Sequence, residues 1–70
     1  MGFPAGQLAQ RLAHEGLTAQ EIRYGFKRFG TDVPTKLIYN ACQRGKEKPG
    51  RLKIDPTRLA EIKSWILNPR

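Results

Sequence analysis

Five side chains able to form hydrogen bonds recur along residues 34–44 at the spacing of one helix face. They are Lys36, Tyr39, Asn40, Gln43 and Arg44. Asparagine and glutamine amides can bind an adenine edge through two hydrogen bonds, while lysine and arginine can reach guanine or phosphate. Tyrosine can stack, contact a thymine methyl group or bind a phosphate. The pattern predicts a recognition helix for the DNA major groove, although any solvated surface helix carries polar residues too.

A basic segment follows this face directly. Between residues 44 and 53 there is one acid among five basic residues, which are Arg44, Lys46, Lys48, Arg51 and Lys53. Pro49 and Gly50 suit a type II turn, and the short segments beside them could pair as a hairpin over residues 46–54. Phosphate contacts position a protein on DNA, whereas base contacts specify the sequence. The two segments therefore predict base recognition by residues 34–44 and phosphate binding by residues 44–53.

The composition points to a polyanionic partner. Thirteen lysines and arginines stand against six acids in 70 residues, which gives a net charge of +7 and a pI near 10.2. A charge this large in one small domain favours nucleic acid as the ligand. A basic domain that is merely soluble, or associated with ribosomes, is the plainer alternative. We expect residues 1–70 to form a single nucleic-acid-binding domain.

Catalytic and metal sites are not expected. The single histidine, His14, falls in the last turn of a predicted helix, where a cation is favoured beside the helix C-terminus. The single cysteine, Cys42, lies on an apolar stripe and is interpreted as a structural thiol. These two residues cannot build the usual four-ligand zinc site, and no glycine-rich phosphate loop is present. The sequence predicts neither an enzyme nor a cofactor.

Location and membrane association are predicted from the same sequence. Charged residues such as Arg11 and Glu15 interrupt the first twenty positions, which is unlike a signal peptide. No stretch approaches the roughly 20 apolar residues that a membrane span needs. One cysteine excludes an internal disulfide. We expect a cytoplasmic domain that does not contact a membrane.

Four helices should position these side chains. The first is expected over residues 5–15, before Gly16. Thr18 and Glu21 form a capping-box pattern that opens the second helix, which should end at Gly30. Asp55 and Pro56 should begin the last helix, whose apolar face holds Leu59, Ile62, Trp65 and Ile66.

The second helix should bury an apolar stripe and expose a basic flank. Ile22, Phe26 and Phe29 are spaced to face the core, and Gly25 between them would suit a close helix crossing. The basic flank consists of Arg23, Lys27 and Arg28, which are further candidates for binding nucleic acid.

The third helix should begin at a cap provided by Asp32 and end before Gly45. Its buried stripe is predicted to be Leu37, Ile38, Ala41 and Cys42. The overall expectation is a mainly α-helical domain of about four helices, with a helix-turn-helix and a short β-hairpin wing.

Residues 18–67 resemble the small winged-helix regulators and excisionases of phages, prophages and plasmids, including the MerR-like group. The resemblance lies in Ile38-Tyr39 on the predicted recognition helix, the basic turn after it, and Trp65-Ile66 near the end of the last helix. It implies groove binding by the third helix, backbone contact by the loop, and a role as a sequence-specific regulator of transcription on double-stranded DNA.

Two other function classes fit the same charge. A small inhibitor or adaptor could dock on an acidic surface of RNA polymerase or another host factor, aided by Phe3, Leu17 and Val33 if they are exposed. An RNA-binding protein could stack bases on Tyr24, Phe26 and Phe29, although the helical spacing of the two phenylalanines favours their burial. A palindromic target would call for a homodimer, formed through the first helix or through Trp65-Ile66, residues that could equally belong to the core.

Overall fold

The computed structural model describes residues 5–68, which form four α-helices joined by short connections. The helices are α1 (Ala5–His14), α2 (Ala19–Arg28), α3 (Thr35–Glu47) and α4 (Pro56–Leu67). The prediction of a mainly α-helical domain with four helices is therefore confirmed. Within residues 5–68, no helix has the length and apolar character needed to cross a membrane.

Local signals in the sequence set most of the helix ends. Gly16 and Gly30 have positive φ angles of 103° and 78°, and the residue after each one donates a backbone hydrogen bond back across the last turn. The Thr18–Glu21 capping box is present at the start of α2. Asp55 caps α4 and accepts a hydrogen bond from the Thr57 backbone at 2.9 Å. These predicted boundaries are confirmed.

The core is formed by apolar side chains from all four helices and from the connection between α1 and α2. Leu12, Ile22 and Ile38 are the largest side chains that are completely buried. Around them lie Leu8, Ala9, Leu17, Phe26, Ala41, Leu59 and Ile66. The apolar residues predicted for α4 therefore lie in or against the core, and the Ile22–Phe26 part of the α2 stripe is buried.

Helices α1 and α3 make the most extensive helix contact, and they cross at Gly45. A Cβ atom at Gly45 would lie 2.5 Å from the carbonyl oxygen of Gln10 and 2.8 Å from the Cβ of Ala13. The prediction that Gly45 ends the helix was wrong, because α3 continues through Glu47. Gly45 serves instead as the contact point that lets the two backbones approach.

Helices α2 and α4 cross at Gly25, and this is a close crossing of the kind that would suit a glycine there. A Cβ atom there would lie 2.8 Å from both Cγ1 and Cδ1 of Ile66, which is buried. Glycine in a helix interior costs about 1 kcal/mol relative to alanine. The close packing of Ile66 over the α2 backbone explains why a glycine is tolerated at this position.

Three predictions about individual residues were wrong. Phe29 is half exposed because it is the C-cap residue of α2, beyond the part of the stripe that faces the core. Leu37 is 41% exposed because the buried line of α3 runs through Ile38, Ala41 and Gly45, leaving Leu37 at its edge near Gly6. Asp32 does not cap α3, whose N-cap is Pro34 and has no side-chain hydrogen bond.

The predicted wing over residues 46–54 is also wrong, since residues 5–68 contain no β-strand. Helix α3 takes up residues 46 and 47, so only Lys48 remains before the Pro49-Gly50 pair. One residue cannot form a strand, and Pro49 has no backbone N–H to donate. Leu52 and Ile54 pack individually against the core instead.

Candidate nucleic-acid interface

The polar face of α3 points to solvent along its whole length. Lys36, Tyr39, Asn40, Gln43 and Arg44 are all exposed. The opposite face is held against the core by Ile38 and Ala41, which are 1% and 4% exposed. The helix therefore presents the predicted set of hydrogen-bonding side chains outward, and the exposure expected from the sequence is confirmed.

Arg44 connects the α3 face to the basic loop. It lines one shallow groove with Asn40, Gln43 and Glu47, and a second groove with Lys48 and Arg51. Because the two grooves share Arg44, the amide side chains and the cationic loop belong to one continuous surface.

Helix α1 holds the backbone of this loop. The Gln10 side-chain amide donates a hydrogen bond to the carbonyl oxygen of Lys48 at 3.3 Å. Gly50, at a φ angle of 89°, lies over Gln10, where a Cβ atom would be 3.2 Å from the amide group. The loop between α3 and α4 is thereby fastened beside the C-terminal end of α3.

A second basic group lies at the other end of α3. Arg23 and Lys27 of α2 line a small groove that also includes Thr35, the first residue of α3. No side chain caps the backbone N–H groups at this helix end, and such groups attract anions. Asp32 lines the same groove and reduces its positive charge. Helix α3 thus has cations near both of its ends.

The basic residues of α3 and of the loop that follows it are not neutralised by ion pairs among the described residues. Within residues 5–68 the ion pairs join Glu15 to Arg11 at 3.8 Å and to Lys63 at 3.3 Å. Neither pair includes a basic residue of α3 or of the loop. The positive charge beside the α3 face therefore remains available to a ligand.

The remaining predicted binding residues line other grooves or lie beside them. Lys46 lines a separate groove with Tyr39, Gln43 and Cys42. Lys53 lines an apolar groove beside Trp65, and the Arg28 guanidinium lies 4.3 Å from the centroid of the Trp65 indole ring. The structure brings together Arg44, Lys48 and Arg51, while Arg28 and Lys53 belong to a different surface.

The two side chains considered for chemistry have structural surroundings. The His14 Nδ1 atom donates a hydrogen bond to the Gly45 carbonyl oxygen over 2.9 Å, since a carbonyl oxygen can only accept. Burial raises the pKa of the Cys42 thiol above its ordinary value, and the nearby charge of Lys46 only partly opposes this. In the described residues, no three potential metal ligands lie close together.

One group of side chains was not predicted from the sequence as a group. Phe29 stacks on Trp65 with 4.4 Å between ring centroids, and the Arg28 guanidinium lies over Trp65 and also 5.7 Å from the Tyr24 ring centroid. Tyr24 and Arg28 are four residues apart on α2, which could have indicated their contact. The position of Trp65 depends on the α2–α4 packing and carried no local signal.

The apolar residues considered for protein docking or dimerisation are mostly covered. Leu17 is 6% exposed and Ile66 is 5% exposed, so both belong to the core. Val33 is partly buried. Phe3 lies outside the described residues. The protein-docking alternative therefore gains no support from these positions.

Comparisons with protein-family models, with curated proteins and with solved structures found no match for this chain. The resemblance to winged-helix regulators and excisionases therefore stays a prediction.

Proposed function

We propose that this chain is a sequence-specific, double-stranded DNA-binding regulator of transcription that acts in the cytoplasm without a cofactor. In this proposal α3 enters the major groove, where Asn40 and Gln43 contact base edges. Arg44, Lys48 and Arg51 bind phosphates next to it, and the connection to α2 takes the place of the turn in a helix-turn-helix.

The observation that supports this proposal most strongly is the position of Arg44. It lines one groove with the two amide side chains and a second groove with Lys48 and Arg51. A ligand that follows this surface meets hydrogen-bonding groups first and positive charge directly afterwards. A DNA duplex presents base edges and phosphates in the same order from groove floor to rim.

The dimensions of α3 also suit the major groove. Its 13 residues span about 20 Å at 1.5 Å per residue, while the groove is about 12 Å wide. A helix about 10–12 Å in diameter fits this width when it lies along the groove, and its length lets the cations at its two ends reach phosphates on the groove walls. Arg23 and Lys27 would contact one backbone, and Lys48 and Arg51 would contact the other.

Selection of bound sequences from a random duplex pool tests the partner and the specificity together. We expect an enriched motif, and an affinity that falls by roughly a thousandfold between 50 and 200 mM salt if about six phosphates are contacted. Two half-sites one helical turn apart would indicate that two copies bind. Salt-dependent binding without any enriched motif would reject the specific regulator and leave only electrostatic attraction.

Three single substitutions test the roles within the surface. Asn40→Ala should relax preference at one base position, by about 1–3 kcal/mol of discrimination. Lys48→Ala should weaken all duplexes alike and lower the salt slope by about one. Lys53→Ala is the matched control, because Lys53 is an exposed lysine of the same connection that lines a different groove.

If Asn40→Ala and Lys48→Ala changed binding in the same way, the proposed separation of base and phosphate contacts would be wrong. An effect of Lys53→Ala as large as that of Lys48→Ala would show that only total charge matters.

A further inference from the structure

An apolar groove lies apart from the α3 face, between α4 and the connection that precedes it. It has a volume of about 600 Å³. Its apolar walls are Leu8, Phe29, Leu52, Ile54, Ile62 and Trp65. None of these residues is proposed to contact DNA, so the groove requires a separate explanation.

Aromatic rings form one wall of this groove and remain accessible. Phe29 is 50% exposed although its ring stacks on Trp65. The guanidinium of Arg28 lies over the same indole ring, and its Nη1 atom is buried without a hydrogen-bond partner. Because this Nη1 atom is buried, it is not open to a ligand, and the half-exposed Phe29 ring is the part of this wall that favours an apolar group on the ligand.

The charged residues around the groove indicate which kind of ligand it can bind. Lys53 and Arg58 are exposed lining residues, Arg28 lies on the adjoining aromatic wall, and Glu61 is the one acid in the lining. The rim is therefore positive. A second copy of this chain, also carrying a charge of +7, would be repelled by it.

The aliphatic part of the lining favours protein over nucleic acid. Leu8, Leu52, Ile54 and Ile62 offer no side-chain hydrogen bonds to the edges of a nucleobase, which would lose its contacts with water on entering. Leucine, isoleucine or phenylalanine side chains of a peptide would lose no such contacts. Their burial would contribute about 25 cal/mol for each Å² of apolar surface removed from water.

We propose that this groove binds an acidic peptide segment of a partner protein. One or two apolar side chains of the segment insert between the Phe29–Trp65 pair and Ile62. Its carboxylates lie against Lys53 and Arg58, the two basic residues that line the groove. The chain then has two separate surfaces, one for a partner protein and one on α3, and the peptide site does not depend on DNA binding.

Selection from a displayed library of random 12-residue peptides tests this inference on the full chain. We expect enriched peptides to combine an aromatic or aliphatic anchor with two or more acids. The affinity of a synthesised, enriched peptide is then measured by fluorescence anisotropy. The variant Lys53→Glu/Arg58→Glu should bind this peptide at least about tenfold more weakly, which corresponds to about 1.4 kcal/mol.

The matched control is Lys48→Glu/Arg51→Glu, which changes the net charge equally on the α3 side. This control should change peptide affinity by less than about threefold, since Lys48 and Arg51 line a different groove and their exposed charges are screened by salt. The same control should lose DNA binding, so a failure of the peptide site and a failure of the DNA proposal give different results.

A second pair of variants tests the apolar contact. Phe29→Ala should weaken peptide binding by about tenfold, while Leu37→Ala, which shortens another exposed apolar side chain, should leave it unchanged. Circular dichroism checks that both variants are folded. Equal loss in the two charge variants, or peptides enriched for acids without an apolar anchor, would overturn the proposal.

Two further outcomes would also overturn the proposal, because each would identify a different ligand for this groove. One is concentration-dependent dimerisation that Phe29→Ala abolishes. The other is binding of single-stranded RNA that Phe29→Ala weakens and Leu37→Ala does not.

Discussion

The α1–α3 pair and the α2–α4 pair each cross at a glycine, yet the two glycines meet different atoms. Gly45 lies against the backbone carbonyl of Gln10 and the Cβ of Ala13. Gly25 lies against the end of the Ile66 side chain. A backbone contact can relax only if a whole helix moves, whereas a side chain can adopt another rotamer.

The two pairs also present different surfaces. Helix α3 of the first pair carries the polar face with its basic loop, while the second pair contributes Phe29 and Trp65 to the apolar groove. The more rigid crossing therefore supports the surface proposed to match a regular duplex. The more adaptable crossing supports the surface proposed to accept a peptide.

Substitution at the rigid crossing should have the largest effect. Gly45→Ala places a methyl group against the Gln10 carbonyl oxygen, and we expect it to lower the free energy of unfolding by about 2 kcal/mol, measured by urea denaturation. The control is Gly6→Ala on the same helix pair, where the new methyl would meet only Leu37 at 4.0 Å. The Gly6→Ala substitution should leave the free energy of unfolding unchanged or raise it slightly.

A Gly45→Ala protein as stable as the wild type would mean that α1 and α3 can separate at little cost. The contrast between the two crossings would then disappear.

Substitution at the adaptable crossing should cost less. Gly25→Ala gains up to about 1 kcal/mol of helix propensity but crowds Ile66, so we expect a net loss of about 1 kcal/mol or less. Adding Ile66→Val removes Cδ1, one of the two Ile66 atoms that the new methyl would contact at 2.8 Å. The double variant should therefore be less destabilised than the sum of its two single variants, as measured in a double-mutant cycle. Strict additivity would contradict the contact.

The smallest predicted effect concerns Cys42 on the α3 side. Because burial raises the pKa of its thiol, the folded protein should react with iodoacetamide more slowly at pH 8 than the urea-unfolded chain, which serves as the control. The raised pKa also has a consequence for stability. The neutral, buried thiol stabilises the folded state fully below pH 9.0, the ordinary pKa that applies to the unfolded chain. This stabilisation is lost as the pH rises through the higher pKa of the folded state.

Equal alkylation rates in the folded and unfolded chains would show that the folded structure does not protect the Cys42 thiol. Relative to Cys42→Ala, the wild type should become less stable as the pH passes 9.0.

Residues that act within one helix turn were predicted well from the sequence. Gly16, Gly30, the Thr18–Glu21 box and Asp55 set helix ends through contacts with nearby backbone groups, so their roles were visible in the sequence. The outward face of α3 followed from its helical period in the same way.

Residues whose roles depend on another helix were predicted poorly. From the sequence alone Gly45 is interpreted as a helix terminator, and only its contact with α1 shows that it is a crossing point. Phe29 belongs to the α2 stripe by spacing, and its place beside Trp65 depends on how α4 packs. The apolar groove combines residues from α1, α4 and two connections, so no local pattern could reveal it.

The hydrogen bond from Gln10 to the Lys48 carbonyl has a thermodynamic consequence for any anion that binds the loop. It restrains the main chain between Lys48 and Gly50 in the unbound protein. The conformational entropy of that segment is therefore lost during folding and not during association. An anion that binds beside Lys48 therefore meets a segment of main chain that is already held in place, so less entropy is lost when it binds.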